Sequence, residues 1–290
     1  LTPALTPPGA GRYRPFPSDS AVTETDVLLA PTAPAAPVVS PAAPPVADVL
    51  GVRFHAGETD AVAARLVGWA EAGEARYACF SNAQSVIEAH DDPAFLDVLN
   101  GADLNVPDGM SIVRAMRAGG TPQADRAYGP DVTLAVCRLA ATRGVPVALY
   151  GSSERVLGLL AERLPALAPG LRLVEAISPP FRALSADEDE AFVQRLRASG
   201  ARIVLVGLGC PKQERWCADH VERVGAVLMA VGAAFDFHAG TLAQAPRWMQ
   251  QAGLEWAFRL AMEPRRLWRR YARVVPRFLA ARVRARLAGR

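Results

Sequence analysis

Lysine is almost absent from this chain. One residue, Lys212, stands among 32 basic side chains, and all the others are arginine. Cysteine is sparse, at Cys79, Cys137, Cys210 and Cys217, and no two of the four form a C-x-x-C pair. That spacing gives no disulfide framework and no metal ribbon, and reads as reduced thiols of a cytosolic protein. His220 and His238 each stand as lone histidines, and neither is read as a metal ligand. No apolar run approaches the roughly 20 residues that a helical membrane span requires. The N-terminus lacks the basic, apolar, small-residue order of a secretory signal. A P-loop and a complete G-x-G-x-x-G are both missing, so neither a nucleotide hydrolase nor a dehydrogenase is favoured.

About half of the 290 residues are hydrophobic (51%), enough to bury a sizeable core. Charge is distributed unevenly. Residues 262–290 hold ten arginines against the single acid Glu263, a local charge of +9, so the rest of the chain carries −6 within a total of +3. A mildly acidic body with a basic tail points to an anionic partner at the tail, a membrane surface or a nucleic acid. Eleven of the 24 prolines lie in residues 1–50, mixed with Ala, Thr and Val. Such composition does not support regular structure, and 1–47 is expected to be a disordered segment.

From about residue 48 short apolar runs alternate with longer helical patterns. Strands are expected at Val49–His55, Ala75–Ser81, Leu104–Pro107, Pro146–Tyr150, Arg172–Ile177, Ile203–Val206 and Val227–Val231. Helices are expected between them, among others at Asp60–Glu71, Asp131–Thr142, Glu154–Leu164, Ala186–Ala198 and Lys212–Glu222, with Thr59, Ser153 and Ser185 as caps. Strands apolar on both faces that alternate with helices argue for an α/β, Rossmann-like fold: a largely parallel sheet covered on both faces, spanning 48–258. Ligands in such sheets bind beyond the C-terminal strand ends, so the turns after strands are the place to seek chemistry.

Five turns qualify. Gly207-Leu208-Gly209-Cys210-Pro211-Lys212-Gln213-Glu214 runs from a strand through two glycines into a helix start, where free N–H groups suit a phosphate and Pro211 suits the first helical position. Lys212 is the one lysine retained there; a plain strand–helix turn is the structural alternative. Asn105-Val106-Pro107-Asp108-Gly109 places a carboxylate at a strand end, where Asp108 can act as a general base or simply cap a helix. Arg126-Ala127-Tyr128-Gly129-Pro130-Asp131 offers an arginine for phosphate, with Asp131 as a helix cap the alternative. Ser81-Asn82-Ala83-Gln84 offers two amides for sugar hydroxyls, with Asn82 as a cap the alternative. Gly232-Ala233-Ala234-Phe235-Asp236 places Asp236 to hold a ribose or base, or to bond backbone. Asp187-Glu188-Asp189 spells a D-x-D but follows Ser185 at a helix start, where acids complement the helix dipole, and is read as structural.

Taken in order, these segments resemble the WecG/TagA/CpsF family of bacterial glycosyltransferases. The resemblance rests on Asn82-Ala83-Gln84, Ala102-Asp103-Leu104 through Pro107-Asp108-Gly109-Met110, Tyr128-Gly129-Pro130-Asp131, Ser178-Pro179-Pro180-Phe181-Arg182, Gly207 through Glu214, and Gly232-Ala233-Ala234-Phe235-Asp236. It continues through Ala245-Pro246-Arg247-Trp248-Met249-Gln250 and Gly253-Leu254-Glu255-Trp256, and covers about residues 50–276. It implies an inverting, metal-independent transferase without a cofactor. The expected donor is a UDP-sugar, often N-acetylmannosamine or its uronic acid, and the acceptor an undecaprenyl-pyrophosphate-linked sugar of cell-surface polysaccharide synthesis. By motif position Asp108 is the general base, Asn82 and Gln213 belong to the sugar pocket, Arg126 is a basic pocket residue and Asp236 lies near the nucleotide. The further substrate-binding candidates are Gln84, Tyr128, Asp131, Gly207, Gly209, Lys212 and Gly232. The family commonly carries Thr-x-Asn where this chain reads Phe80-Ser81-Asn82.

The tail, 259–290, shows Leu267, Trp268, Tyr271, Val274, Val275, Phe278 and Leu279 at helical spacing opposite Arg266, Arg269, Arg270, Arg273 and Arg277, with Pro276 expected to kink or divide the helix. This basic amphipathic pattern suits an anionic membrane surface, which would place the protein in the cytoplasm, peripheral on the inner face of the plasma membrane. The alternative is a stripe packed on the body or on a second subunit of a homo-oligomer. The family also implies tail arginines in the active site, by position Arg259, Arg266 and Arg269. Two other readings stay open. One is an epimerase-like nucleotide-sugar enzyme, for which a Tyr-x-x-x-Lys pair is missing. The other is a non-catalytic membrane adaptor. A nucleic-acid partner is disfavoured by the acidic body.

Overall fold

The computed structural model describes residues 44–287, which belong to one compact unit. The segment expected to be disordered therefore falls outside the described residues except for its last four, and Val46 and Ala47 among these already belong to a strand. The run read as one strand, Val49–His55, is instead part of an antiparallel hairpin of β1 (Val46–Val49) and β2 (Val52–His55). Leu50 and Gly51 turn the chain with φ of 57° and 88°, and the Asp48 carboxylate accepts the Gly51 N–H at 3.0 Å. Two consecutive positive-φ residues match the twist of a two-residue hairpin, a conformation that a leucine does not advertise in sequence.

The remaining strands form one six-stranded sheet in the order β4-β3-β8-β7-β5-β6. They are β3 (Arg76–Ser81), β4 (Leu104–Pro107), β5 (Val147–Gly151), β6 (Leu173–Ile177), β7 (Ile203–Gly207) and β8 (Val227–Ala230), and every pairing is parallel. The helices between and after them are α1 (Thr59–Ala72), α2 (Ala83–Asp91), α3 (Pro93–Gly101), α4 (Met110–Ala118), α5 (Gly129–Arg143), α6 (Glu154–Leu167), α7 (Ala186–Ala198), α8 (Lys212–Val224), α9 (Ala234–Ala239), α10 (Arg247–Ala252), α11 (Glu255–Met262) and α12 (Pro264–Leu287).

Strand periodicity divides the interior in two. Along β7, Val204 and Val206 join a core with Ile112 and Met116 of α4, Leu196 of α7 and Trp216 of α8. Ile203 and Leu205 face the other way, toward Leu66 of α1, Val136 of α5 and Leu160 of α6. Both faces of the sheet are covered, which is why its strands read as continuous apolar runs.

Local signals explain most boundaries. Ser153 accepts the Val156 N–H at the start of α6, and Ser185 forms a capping box with Glu188 at α7. Thr59 does not cap α1; the capping position is Glu58, without a side-chain bond. Pro211 stands one residue before α8 rather than inside it, after a cis peptide bond. Pro276 does not divide the tail, since α12 runs through it to Leu287. Position 259, where the tail is expected to start, falls inside α11.

Burial holds α12 to the body. Leu267, Val274 and Phe278 are buried, each contributing about 1.5–3 kcal/mol, and α12 packs on α2. The Asp91 carboxylate at the end of α2 receives both Arg273, at 2.7 Å, and Arg277. The tail's apolar stripe is thus spent partly on its own domain, while Trp268, Leu279, Val283 and Leu287 stay exposed. None of the described helices is long and apolar enough to cross a membrane.

Candidate active site

A parallel sheet puts the C-terminal ends of all its strands on one edge. Here that edge gathers Asn82 after β3, Asp108 after β4, Ser152 after β5, Gly207 at the end of β7 and Gly232 after β8. A cavity of about 1070 Å³ opens there, closed from above by residues of α11 and α12.

Asp108 stands on the cavity wall. It does not cap the helix that follows it, α4, whose capping residue is Gly109. Its Oδ1 instead accepts the Gly129 N–H at 2.8 Å, from the start of α5. Burial raises its pKa above the ordinary carboxylate range, and Glu255 adds to this; Arg126, the Gly129 N–H and the Asn82 amide pull the other way without cancelling it. A carboxylate of raised basicity facing a cavity is the environment a general base requires. Asn82 caps α2 by accepting the Gln84 N–H at 2.9 Å and also faces the cavity, as does Gln84.

Arg126 donates from Nε to the Asp108 carbonyl at 2.5 Å and pairs with Glu255 at the start of α11. Burial opposes the charge on Arg126, but Asp108 and Glu255 outweigh it. Tyr128 stacks under the guanidinium, 3.9 Å from ring centre to Cζ, and donates its hydroxyl to the other Glu255 oxygen at 2.9 Å. Burial, then the Glu255 charge, push the phenol far above its usual pKa, so it remains a donor.

Gln213 is buried at the start of α8. Its Oε1 accepts the Gly209 N–H at 3.0 Å and its Nε2 donates to the Ala230 carbonyl and to Glu214. One backbone N–H of the turn before α8, that of Gly209, is therefore already taken by the chain's own amide. Gly232 allows this packing, since a Cβ there would lie 3.0 Å from Gln213 Oε1. Gly207 is glycine for a similar reason: a Cβ would sit 2.6 Å from the Phe235 ring.

The cavity gathers Asn82, Gln84, Asp108, Arg126, Tyr128, Gly207, Gly209, Gln213, Gly232, Asp236, Arg259 and Arg266. Three expected residues lie elsewhere. Lys212 and Asp131 are exposed and off the cavity wall, because each points outward from the first turn of its helix. Arg269 is exposed beside Trp268, 5.4 Å from its ring centre, and the next residue, Arg270, faces the cavity instead; one position on a helix turns a side chain by about 100°. Asp236 bonds the Thr241 hydroxyl at 3.1 Å. Sequence reasoning passed over Arg270, Glu214 and Glu255 as site residues. Glu214 follows Gln213, and Glu255 sits within the Gly253–Trp256 segment, so both adjoin motifs without having been given a role.

Asp187-Glu188-Asp189 lies away from this site. Asp189 is held by His220 at 2.9 Å and Arg223 at 2.7 Å, and Glu188 by Arg182. Among the described residues, no group of three His, Cys, Asp or Glu side chains is arranged to hold a metal ion.

The covered parallel sheet, its nucleotide-sized crevice at the strand ends and the convergent acid and arginines define a Rossmann-like α/β enzyme. Comparison with protein families narrows this. The model of the glycosyl transferase WecG/TagA/CpsF family matches residues 47–290, so the chain belongs to that family and is a glycosyltransferase. Such an enzyme takes a nucleotide-sugar donor and an acceptor. The match extends past both ends of the motif series and includes all of α12.

Proposed function

We propose that this protein transfers a sugar of the N-acetylmannosamine type, with inversion and without a metal ion, from UDP to an acceptor linked to a polyprenyl pyrophosphate. The observation that carries this reading is the meeting of Asp108 with Arg126, Arg259, Arg266 and Arg270 around a single cavity. One wall bears a carboxyl of raised pKa, and the helical cover bears guanidinium groups. In the reaction, the acceptor hydroxyl oxygen bonds to the anomeric carbon from the face opposite UDP. Its proton passes to Asp108, and the bond from the anomeric carbon to the β-phosphate oxygen breaks with its electron pair going to UDP. Arginines aimed where this charge develops stabilise the transition state, the role that a metal plays elsewhere.

The groove between α11 and α12 supports a lipid-linked acceptor. It is about 400 Å³ and lined by Trp256, Leu260, Trp268, Tyr271, Ala272, Val275 and Pro276. Exposed arginines and apolar side chains on α12 suit the anionic face of a membrane. The deciding experiment incubates the protein with a panel of UDP-sugars and a lipid-pyrophosphate GlcNAc acceptor, with and without EDTA. Acceptor-dependent UDP release that survives EDTA is expected. No release with any donor removes the activity, and EDTA sensitivity removes the metal-free part.

A further inference from the structure

Among the described residues, six side-chain polar atoms are buried without a hydrogen-bond partner, and three of them belong to residues that line the cavity: Nε of Arg259, Nε of Arg270 and Oε2 of Glu214. Buried polar groups in folded proteins almost always find partners, so orphans on one cavity wall point to a ligand that supplies the missing bonds. The two arginine nitrogens are donors and suit phosphate oxygens. Glu214 is different in kind. Once ionised, its orphan atom only accepts, and a phosphate dianion has no proton to offer it.

We propose that Glu214 is a sugar-recognition residue of this site, its free Oε2 accepting a hydrogen bond from a hydroxyl or amide N–H of the donor's sugar. This rests on the UDP-sugar reading above. Glu214 is 1% exposed, and its Oε1 is already committed to the Gln213 amide at 3.1 Å. Among the described residues, the groups that stabilise its charge are its own backbone N–H, the Gln213 amide and the Cys210 thiol, none of them a cation. A buried carboxyl without such a partner is a standing cost to the fold, so its place on the wall of a ligand cavity calls for a ligand to offset it. Its location selects the sugar end. Cys210 meets Ser85 of α2 at 3.7 Å, and Ser85 Oγ lies 3.5 Å from the Asn82 N–H. Asn82 in turn acts on Asp108, which must face the anomeric carbon in the proposed reaction.

The test measures binding of UDP and of UDP-N-acetylmannosamine by titration calorimetry at about pH 8.5, where the Glu214 carboxyl is ionised, to the wild-type chain and to Glu214→Gln and Glu214→Asp. In the glutamine variant the carbonyl stays with Gln213 and an NH2 donor replaces the free acceptor. The aspartate variant keeps the charge but withdraws it by one methylene. Both are expected to bind the UDP-sugar roughly 10- to 100-fold more weakly, the loss of one hydrogen bond to a charged group. Affinity for UDP itself should stay within about twofold, which also shows that the variants are folded. Unchanged UDP-sugar affinity in both variants overturns the assignment, and so does an equal loss for UDP and UDP-sugar. If the wild-type chain binds UDP but no UDP-sugar, the donor reading falls and this assignment falls with it, an outcome distinct from an intact donor affinity that ignores Glu214.

Discussion

Arg126 and Glu255 form an ion pair on the cavity wall that links the start of α11 to the loop after β4. The same guanidinium holds the Asp108 carbonyl, so the proposed base, the basic pocket residue and the cover share one chain of bonds. Arg126 does not wait empty for a phosphate; Glu255 already neutralises it. Glu255→Gln should loosen α11, since it removes one of the two carboxylates that offset a largely buried guanidinium. A loss of roughly 2 kcal/mol is expected in denaturant unfolding, with faster proteolysis near residues 252–262. Because Glu255 raises the pKa of Asp108, the acid limb of the kcat/KM profile should also move to lower pH. A variant with wild-type stability and an unmoved limb would show that the pair contributes neither.

Asp108→Asn keeps the shape of the side chain and removes its basicity. Turnover should fall about 10²- to 10⁴-fold while UDP affinity is retained. In the proposed mechanism the wild type works through the ionised carboxylate. Its folded pKa lies above the ordinary value, so activity should decline on the acid side at a pH higher than a free aspartate would give. Near-normal turnover in the asparagine variant would reject Asp108 as base.

Glu214 makes a separate prediction about stability. Its pKa is pushed up to about 7, chiefly by burial, against about 4.3 in an unfolded chain. The folded state therefore prefers the protonated acid. Below about pH 4.3 the group carries no penalty. As pH rises to about 7 the unfolded chain ionises freely and the folded one does not, which costs roughly 4 kcal/mol, constant thereafter. Melting curves at pH 5 and pH 8 should show the wild type losing more stability over this interval than Glu214→Gln. Parallel losses would mean that the carboxyl is not strained by burial.

The register of α12 can be read by two alanine variants. Arg270 faces the cavity and Arg269 the outside. Arg270→Ala should reduce kcat/KM more than tenfold, in line with the loss of a charged donor to a phosphate. Arg269→Ala should leave the reaction with a soluble acceptor analogue within about twofold. The reverse ranking would place the helix one residue differently over the site.

The sequence carried the sheet well because its strands are buried on both faces and its helices are amphipathic, so the change of period marks each element. The start of Ala186–Ala198 is marked by Ser185, since a capping box is a local device. The hairpin escaped because its turn uses Leu50 rather than a turn-forming residue. Arg269 was preferred to Arg270 because two adjacent arginines look alike until the helix is docked.

What the sequence determined by itself is the α/β class, the strand ends at which Asn82, Asp108 and Gly207–Gln213 sit, and the family motifs. All of these depend on neighbours a few residues apart. Only the tertiary structure decided that Glu255 closes on Arg126 from 129 positions away, that Arg273 and Arg277 of the basic stripe of α12 grip Asp91, and that Glu214, on the cavity wall, keeps a buried oxygen without a partner. These follow from which side chains are brought together and shut away from water, a property of the packed chain that no local spacing encodes.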